Sequence, residues 1–409
     1  MPLHRFVPLA RASAVLALGA ALGPAALPAQ QPAPTDSTFA SAEAPESTWT
    51  NLDVPWRLSY FPFLSGLAND GPLIGARVRY AEAAPYEARV TTSASLTLDA
   101  AAGFHGTQFA RAEFRAPRLV RGWRFSVLGA AVREARFGFF GLGNDTPNDP
   151  DAVNDAQPLF YRVNRTVYRG QLEVSRQIVG PLLLAVQGDV RSVKFSAQDQ
   201  GPTVFRETFG DVLRQDDASA RAALVLDLRD NEYNTTSGAL LEAGGQVANG
   251  GGNYERLYAV LRGWLPVRRG TVVAARLLGS QLFGEPTLDA RFEVPAWERP
   301  VGVLGGQFSL RAIESGRFAG KGVLLGNFEV RQEVKSFGPE GALGALVLVG
   351  FVDAGRVFED TDFRLTTDGV KVGGGLGAGV RFLRTMAFTL NLARGPDGTR
   401  FTFGYGWMF

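Results

Sequence analysis

The last ten residues constrain the fold more than any other part of the chain, because every second one is aromatic. The aromatic residues are Phe401, Phe403, Tyr405, Trp407 and Phe409. Side chains of a β-strand alternate between its two faces, so the pattern predicts a strand over 399–409 with all five rings on one face. A terminal strand usually frays in water, whereas an aromatic row that faces lipid is typical of transmembrane β-barrels. We therefore expect a lipid-facing final strand.

The start of the chain has the pattern of a secretory signal. Arg5 and Arg11 are followed by a small, apolar and uncharged run over 12–27. This pattern predicts a signal peptide over 1–29, and the Pro-, Ser- and Ala-rich stretch 30–50 predicts a disordered periplasmic tail. Removal of the two arginines lowers the formal net charge from +2 to zero. Since no basic stripe remains, we expect no nucleic-acid partner.

Composition excludes several classes of protein. The chain has no cysteine, so disulfides, thiol catalysis and cysteine metal sites are excluded. After the signal, no uncharged apolar run reaches the roughly 18 residues that a membrane-spanning helix needs. Hydrophobic residues nevertheless make up 45% of the chain and recur in short alternating segments, as expected for strands with one lipid face and one polar lumen face. A periplasmic β-sandwich or propeller would need repeat signatures or compact core runs, and neither is present.

The alternating segments predict the architecture of residues 51–409. Eleven strand-like segments precede residue 284, and five more follow residue 321. Between them, 284–321 alternates poorly and contains three prolines. Sixteen is an even number, as a single-chain bacterial barrel requires. The predicted fold is all-β: a 16-stranded antiparallel transmembrane β-barrel with an inward-folded long loop.

Charged residues identify the lumen face of individual strands. In 323–334 and 346–354, alternation puts Glu329, Arg331 and Asp353 on faces opposite to the apolar side chains. A charge at a lipid-facing mid-strand position costs about 2–4 kcal/mol, so these residues are expected to face the lumen. Charges of both signs inside the barrel favour ion pairing. The pattern therefore indicates a plugged or gated interior rather than a wide open pore.

Short motifs in the last third of the chain carry a family resemblance. Phe351, Asp353 and Gly355 form a Phe-x-Asp-x-Gly strand motif, and Gly322 with Glu329 forms a Gly-x6-Glu motif. The loop before them contains Leu310-Arg311-Ala312-Ile313. This combination resembles the bacterial surface antigen superfamily, the outer-membrane assembly and translocation barrels of the BamA and TamA type. The segments 139–146 and 227–231 are also similar to that family.

The resemblance implies a site. In the family, the sixth extracellular loop folds into the barrel and carries an Arg-Gly-aromatic tip. Here Arg311 matches the arginine, while Ala312 and Ile313 replace the glycine and the aromatic residue, so we expect looser packing at the tip. The resemblance places Arg311 in the lumen against Glu329 and Asp353, which suits the two parallel hydrogen bonds between a guanidinium and a carboxylate.

Other charged residues are secondary candidates. Arg317, beside Phe318, is a second lid-loop arginine, expected near the same cluster or at the base of the loop. Asp227, Arg229 and Asp230 are interpreted as strand-end charges of the lumen wall without a direct function.

The resemblance also raises the question of partners. Members that act as insertion machines carry periplasmic POTRA domains, each on the order of 75 residues, and the stretch 30–50 is too short for one. We therefore expect a separate POTRA-bearing or other accessory periplasmic protein, if substrates are captured at all. The remaining expected partners are outer-membrane lipid and the host barrel-assembly machinery. That machinery would read the C-terminal aromatic row as an assembly signal, and the protein itself is expected to be a monomer.

Two functions remain open at this point. The first is assistance with the insertion or translocation of proteins or lipids at the bacterial outer membrane, through an unstable seam between the first and last strands. Gly404 and Gly406 would weaken that seam, although they equally suit a bend or close packing. The second is a passive or gated porin-like channel, which the charges of the long loop do not distinguish from the first.

Sequence signals for chemistry are weak. His105 is the one histidine outside the predicted signal and lies in a glycine-flanked turn, so we expect no catalytic residue and no enzymatic activity. The acidic stretch 145–155 lacks the glycine and terminal glutamate of a calcium loop, and 249–253 is not followed by the helix of a phosphate-binding loop. No metal and no cofactor are therefore expected.

Overall fold

The computed structural model describes residues 56–67, 69, 71–85, 88–199, 201–338, 343–360, 365–382 and 386–409. The predicted signal peptide 1–29 and tail 30–50 lie outside the described residues. No helix within the described ranges is long and apolar enough to cross a membrane.

Sixteen strands form one antiparallel sheet, in which neighbours in sequence are neighbours in space. The first eleven are β1 Trp56–Leu67, β2 Gly71–Ala83, β3 Thr92–Gly103, β4 Gln108–Val120, β5 Trp123–Gly138, β6 Arg162–Val179, β7 Leu182–Ala197, β8 Val212–Asp227, β9 Gly238–Gly250, β10 Tyr254–Arg268 and β11 Thr271–Gly284. The last five are β14 Gly322–Phe337, β15 Gly344–Phe358, β16 Lys371–Phe382, β17 Met386–Gly395 and β18 Gly398–Tyr405. The predicted number, order and type of strands is confirmed.

Small elements lie outside this sheet. Glu293–Val294 (β12) and Val301–Gly302 (β13) form a two-stranded hairpin within the segment between β11 and β14. A six-residue helix, α1, spans Val204–Phe209, and Thr203 caps it by accepting a hydrogen bond from the backbone N–H of Arg206. None of these elements was predicted, because each is too short for a periodic signal.

The two faces of the barrel differ as the alternation predicts. On β14, Phe328 is exposed on the outer face while Glu329 is buried inside. On β15, Val352 is exposed and Asp353 is buried. Apolar side chains can face lipid without cost, whereas charged side chains need partners, so the lumen collects the ion pairs.

The two ends of the barrel carry connections of different length. One end carries the long connections 139–161, 198–211, 285–321 and 359–370; we call it the loop end. The other carries two-residue turns such as 180–181 and 269–270; we call it the turn end. Gly180 and Gly270 have φ of 51° and 76°, which only glycine adopts readily. The start of β1 and the segment after β18 both lie at the turn end.

The chain after β18 departs from the predicted strand. Strand β18 ends at Tyr405, and Gly406, with φ of 82°, turns the chain inward. Phe401 and Tyr405 are exposed on the outer face, but Phe409 is buried in the lumen beside Trp264, with ring centroids 6.3 Å apart. The expectation that all five aromatic residues share one lipid-facing face is therefore wrong for Trp407 and Phe409.

Both glycines of β18 and its extension have a structural reason. Gly406 supplies the left-handed conformation of the bend. Gly404 faces the lumen, where an added Cβ would lie 2.0 Å from the Nε2 atom of Gln307. The interpretation as bending and packing residues is thus the one that the structure favours.

The first and last strands meet through side chains. The hydroxyl of Tyr405 accepts a hydrogen bond of 3.2 Å from the backbone N–H of Leu64, and its ring packs edge-on against Phe63 at 6.3 Å. Within the described ranges, no ladder of backbone hydrogen bonds joins β1 to β18. We call this junction the seam.

Residues 285–321, the inner loop, fill the lumen. Apolar side chains of the loop form a buried cluster with lumen-facing residues of the wall. The loop contributes Val294, Ala296, Val301, Val303, Leu304, Leu310, Ile313 and Phe318, and the wall contributes Ala223, Tyr258, Val260, Leu278, Val323, Leu325 and Val357. The barrel thus has a packed interior, as the predicted inward-folded loop implied.

Candidate functional site: the inner loop and its anchors

Arg311 is the central anchor of the inner loop. Its Nε donates to Oδ2 of Asp353 at 2.9 Å and its Nη2 to Oδ1 at 2.8 Å. Its Nη1 donates to Oε1 of Glu329 at 2.5 Å, and its backbone N–H also donates to Asp353 at 3.1 Å. All three side chains are at most 2% exposed. The structure therefore brings Arg311, Glu329 and Asp353 together as the motifs implied.

Each residue of the Phe-x-Asp-x-Gly motif contacts the loop. The guanidinium carbon of Arg311 lies 3.5 Å from the centroid of the Phe351 ring. Asp353 forms an ion pair with the same guanidinium. At Gly355 an added Cβ would lie 2.5 Å from Leu304 and 3.2 Å from Leu310. The motif thus provides a stacking surface, a charge and a space on one face of β15, because alternate residues of a strand share a face.

Ala312 and Ile313 are packed tightly. They are 0% and 1% exposed. An added Cβ at Gly373 would lie 2.4 Å from the Cβ of Ala312, and one at Gly395 would lie 2.7 Å from it. Two strand glycines leave room for the alanine methyl group, so this part of the loop is closely packed.

Arg317 lies at the base of the loop, away from Asp353. Its Nη2 donates to the backbone oxygen of Thr146 at 2.6 Å, and its Nε lies 3.6 Å from Asp397. Its guanidinium also stacks over Phe140 at 4.8 Å. The second of the two expected positions, the loop base, is therefore the observed one, and 139–146 forms the surface that holds it.

The first part of the inner loop, which contains Asp289 and Glu293, has its own anchors. Asp289 pairs with Arg165 and Arg191 of β6 and β7, and Glu293 pairs with Arg191 at 2.8 Å and Arg169 at 3.3 Å. Burial alone would raise the pKa of Glu293, but Arg191 and Arg169 lower it to about 2. The carboxylate is thus held charged against the wall.

Residues 297–299 reach the turn end of the barrel; we call them the loop tip, as distinct from the Arg311 motif. The backbone N–H of Trp297 donates to both oxygens of Glu242, at 2.9 and 2.8 Å. Glu298 accepts from Arg229 at 3.0 and 3.1 Å, and the resulting charge attraction outweighs burial and lowers its pKa to about 2. Glu298 has φ of 69°, a conformation that costs energy outside glycine. The ion pair with Arg229 therefore stabilises an unfavourable backbone conformation at Glu298.

The contacts of the loop tip were not predicted from the sequence. Arg229, interpreted there as a strand-end charge without direct function, is the partner of the loop tip. Glu298 and Arg299 stand between two prolines next to Trp297, a signal that could have indicated a structured tip. Their partners could not be read from the sequence, because Arg229 follows β8 and Glu242 lies on β9, both more than 50 residues before the loop tip in the chain.

The arrangement holds a loop in place. Within the described ranges, no group of three or more His, Cys, Asp or Glu residues could hold a metal ion. Acidic residues of the loop instead pair with arginines on β6, on β7 and in the segment after β8. On the other side, acidic residues of β14 and β15 pair with Arg311 of the loop. The loop is consequently fixed on opposite sides of the lumen.

Comparisons with known proteins agree with this fold. The Omp85 superfamily domain matches residues 112–409. A sequence comparison with curated proteins gave no match. The fold is similar to the crystal structure of BamA from Haemophilus ducreyi lacking POTRA domains 1-3, with a TM-score of 0.55 and 11% identity over 85% of this chain and 69% of that one.

Two CdiB structures are also similar. CdiB from Escherichia coli has a TM-score of 0.52 and 10% identity over 86% of this chain. CdiB from Acinetobacter baumannii has a TM-score of 0.46 and 13% identity over 86% of this chain. The present chain spans 62% and 65% of their respective lengths.

The family match includes all the anchors of the inner loop described above. It begins on β4 and covers both strands that bind Arg311 as well as the segments that bind Arg317, Glu293 and Glu298. The resemblance indicated by the short motifs is thereby confirmed. The chain belongs to the Omp85 superfamily.

Proposed function

We propose that this protein assists the insertion or translocation of proteins or lipids at the bacterial outer membrane. The observation that carries the proposal is the inner loop, which fills the lumen and is fixed to opposite walls by buried ion pairs. Such a plug suits a barrel that works by rearranging its wall rather than by passive diffusion. As proposed, the protein is not an enzyme.

The seam supports the same function. Contacts between β1 and β18 involve the side chain of Tyr405 rather than a described backbone ladder. Unpaired backbone groups at a strand edge can pair with an incoming strand. In this proposal the seam is the place where a substrate strand adds to the barrel.

The proposed setting follows from the barrel's two ends. Short turns face the periplasm and long loops face the exterior in bacterial barrels, so the turn end is the proposed periplasmic end. The proposed partners are outer-membrane lipid, the host barrel-assembly machinery and a separate periplasmic POTRA-bearing or accessory protein. The proposed state in the membrane is a monomer.

An insertion assay tests the proposal. The full chain is reconstituted into liposomes, a small unfolded outer-membrane barrel is added, and its folding is followed by heat-modifiable gel mobility. We expect faster folding than in protein-free liposomes. Because the chain has no cysteine, Leu64→Cys and Tyr405→Cys can be joined by a flexible bismaleimide, which should abolish the gain while each single-cysteine variant keeps it.

A porin-like channel is the alternative outcome. Single-channel recording in planar bilayers should give small, flickering currents if the inner loop plugs the lumen. A large, steady current together with no acceleration of folding would overturn the proposed function in favour of a passive channel.

A further inference from the structure

Two arginines face each other inside the barrel. Arg262 of β10 and Arg276 of β11 are direct partners in the antiparallel register. Both point into the lumen and are 6% and 2% exposed. Like charges directly opposite on a sheet repel each other, and a buried charge is costly unless it is paired. A negative charge bound between the two guanidinium groups would therefore stabilise this part of the barrel.

The surroundings of this pair supply only neutral acceptors. Arg276 donates to Oδ1 of Asn327 at 2.9 and 2.7 Å and to the backbone oxygen of Phe308 at 2.8 Å. The Nε of Arg262 is buried without a hydrogen-bond partner. In the part of the chain that the structure describes, neither guanidinium has a carboxylate within ion-pair distance.

Arg299 adds a third positive charge. It stacks over the ring of Phe308 at 4.4 Å, and the backbone oxygen of that same residue binds Arg276. Its Nη2 donates to the backbone oxygen of Met408 at 2.8 Å. Unlike Arg262 and Arg276, Arg299 is exposed. Among the described residues it has no acidic partner either.

The acids around the cluster are already engaged. Asp353 and Glu329, on the side of Arg276, both pair with Arg311. Both oxygens of Glu298 accept from Arg229. Glu242 accepts from Arg221, from the hydroxyl of Tyr258 at 2.6 Å and from the backbone of the loop tip. Two buried arginines, Arg262 and Arg276, and the exposed Arg299 therefore share one region of the lumen, where no carboxylate of the described wall or loop lies within ion-pair distance of them.

We propose that Arg262, Arg276 and Arg299 bind a phosphate group in the half of the lumen nearer the turn end. Three guanidinium groups can surround the oxygens of a phosphate with charge-assisted hydrogen bonds. A cavity of about 410 Å³ opens at the turn end, lined by Arg331 and Trp407 among others. Phe409, two residues after the cavity-lining Trp407, contacts the cluster: its ring centroid lies 5.3 Å from the guanidinium of Arg276. This inference does not depend on the proposed function.

Thermal unfolding of the full chain in phosphate-free zwitterionic detergent tests the site. The probes are inorganic phosphate and dihexanoyl phosphatidic acid, each compared with sodium chloride at equal ionic strength. Ligands that bind only the folded state raise its transition temperature, here by about 2–4 °C when the probe is in tenfold excess over its dissociation constant. A shift with both probes identifies a free-phosphate site, and a shift with the lipid alone identifies a lipid headgroup.

Variants link the shift to the cluster. Arg262→Met should fold, because it replaces an uncompensated charge with an apolar side chain, and it should lose the shift. Arg121→Met, at an exposed turn position between β4 and β5 away from that cavity, is the matched control and should keep it. If Arg262→Met does not fold, Arg299→Gln serves in its place. Absence of a shift in the unmodified protein, or an equal shift in the cluster variant, would overturn the proposal.

Discussion

Arg311 and Asp353 form a two-point contact in which Nε and Nη2 of the guanidinium bond the two carboxylate oxygens at 2.9 and 2.8 Å. The contact joins the part of the inner loop that follows the loop tip to strand β15, and both side chains are buried. Glu329 of β14 completes the charge balance from the other side, and it also pairs with Arg331 at 2.7 Å. The loop is consequently tied to two adjacent strands through one side chain.

Asp353→Asn should loosen the inner loop. The substitution keeps the shape of the side chain but removes its charge, and a hydrogen bond to a charged group contributes about 1.5–3 kcal/mol. We expect larger single-channel conductance and faster proteolysis within 300–318, measured in liposomes and planar bilayers.

Asp211→Asn is the matched control for this change. Asp211 is 77% exposed and pairs with Arg206 at the loop end, so its substitution should alter neither reading. If Asp353→Asn has the same conductance and the same rate of cleavage as the unmodified protein, the pair does not hold the loop.

Gly373→Ala should destabilise the barrel, and Ala312→Gly should rescue it. The new methyl group would lie 2.4 Å from the Cβ of Ala312, an overlap that costs roughly 1–3 kcal/mol. Removing the opposing methyl group restores the space. Urea unfolding of the two single variants and the double variant measures the coupling.

Gly188→Ala is the control for the glycine series. Gly188 also lies in the middle of a strand, but no atom lies within 4 Å of an added Cβ there, so stability should change little. Additive effects of Gly373→Ala and Ala312→Gly would contradict the proposed contact.

Glu298→Gly should be less harmful than Glu298→Ala. Both variants lose the ion pair with Arg229, but only alanine retains the unfavourable left-handed backbone with φ near 69°. The left-handed conformation costs roughly 1–2 kcal/mol for residues with a Cβ. Urea unfolding should therefore rank glycine above alanine, and the reverse order would argue that the tip relaxes to another conformation.

Acid should release the loop only well below neutral pH. Arginine neighbours hold the pKa of Glu293 and of Glu298 at about 2, below the ordinary value of about 4.3. Since the folded-state pKa is the lower one, the stabilisation is complete above about pH 4.3 and is lost as the pH falls to about 2. Conductance should stay constant from pH 7 to 5 and rise below 4; a rise already above pH 5 would point to other groups.

Phe401 and Phe409 should report different environments. The chain has no cysteine, so Phe401→Cys and Phe409→Cys can each carry one nitroxide label. The label at 401, on the exposed outer face, should collide with oxygen dissolved in lipid, whereas the label at 409 should be protected from it. Equal oxygen accessibility at both positions would restore the continuous lipid-facing strand that the sequence pattern predicts.

The sequence alone determined the sixteen strands, their lumen and lipid faces and the central anchor. Strand periodicity is a local property, and a charge such as Glu329 must face the lumen because lipid cannot solvate it. The resemblance then placed Arg311 against Glu329 and Asp353, and the described geometry agrees. These features depend on neighbours in sequence or on a motif.

Only the tertiary structure decided which distant residues meet in the lumen. The sequence pattern does not reveal the inward turn at Gly406, because aromatic residues continue to alternate through Phe409. The positive φ of Gly406 is visible only in the structure. The contacts of Glu298 with Arg229 and of Ala312 with Gly373 join segments far apart in the chain. Closure of the barrel around the inner loop brings these segments together, and their pairing follows from packing in three dimensions rather than from any local preference.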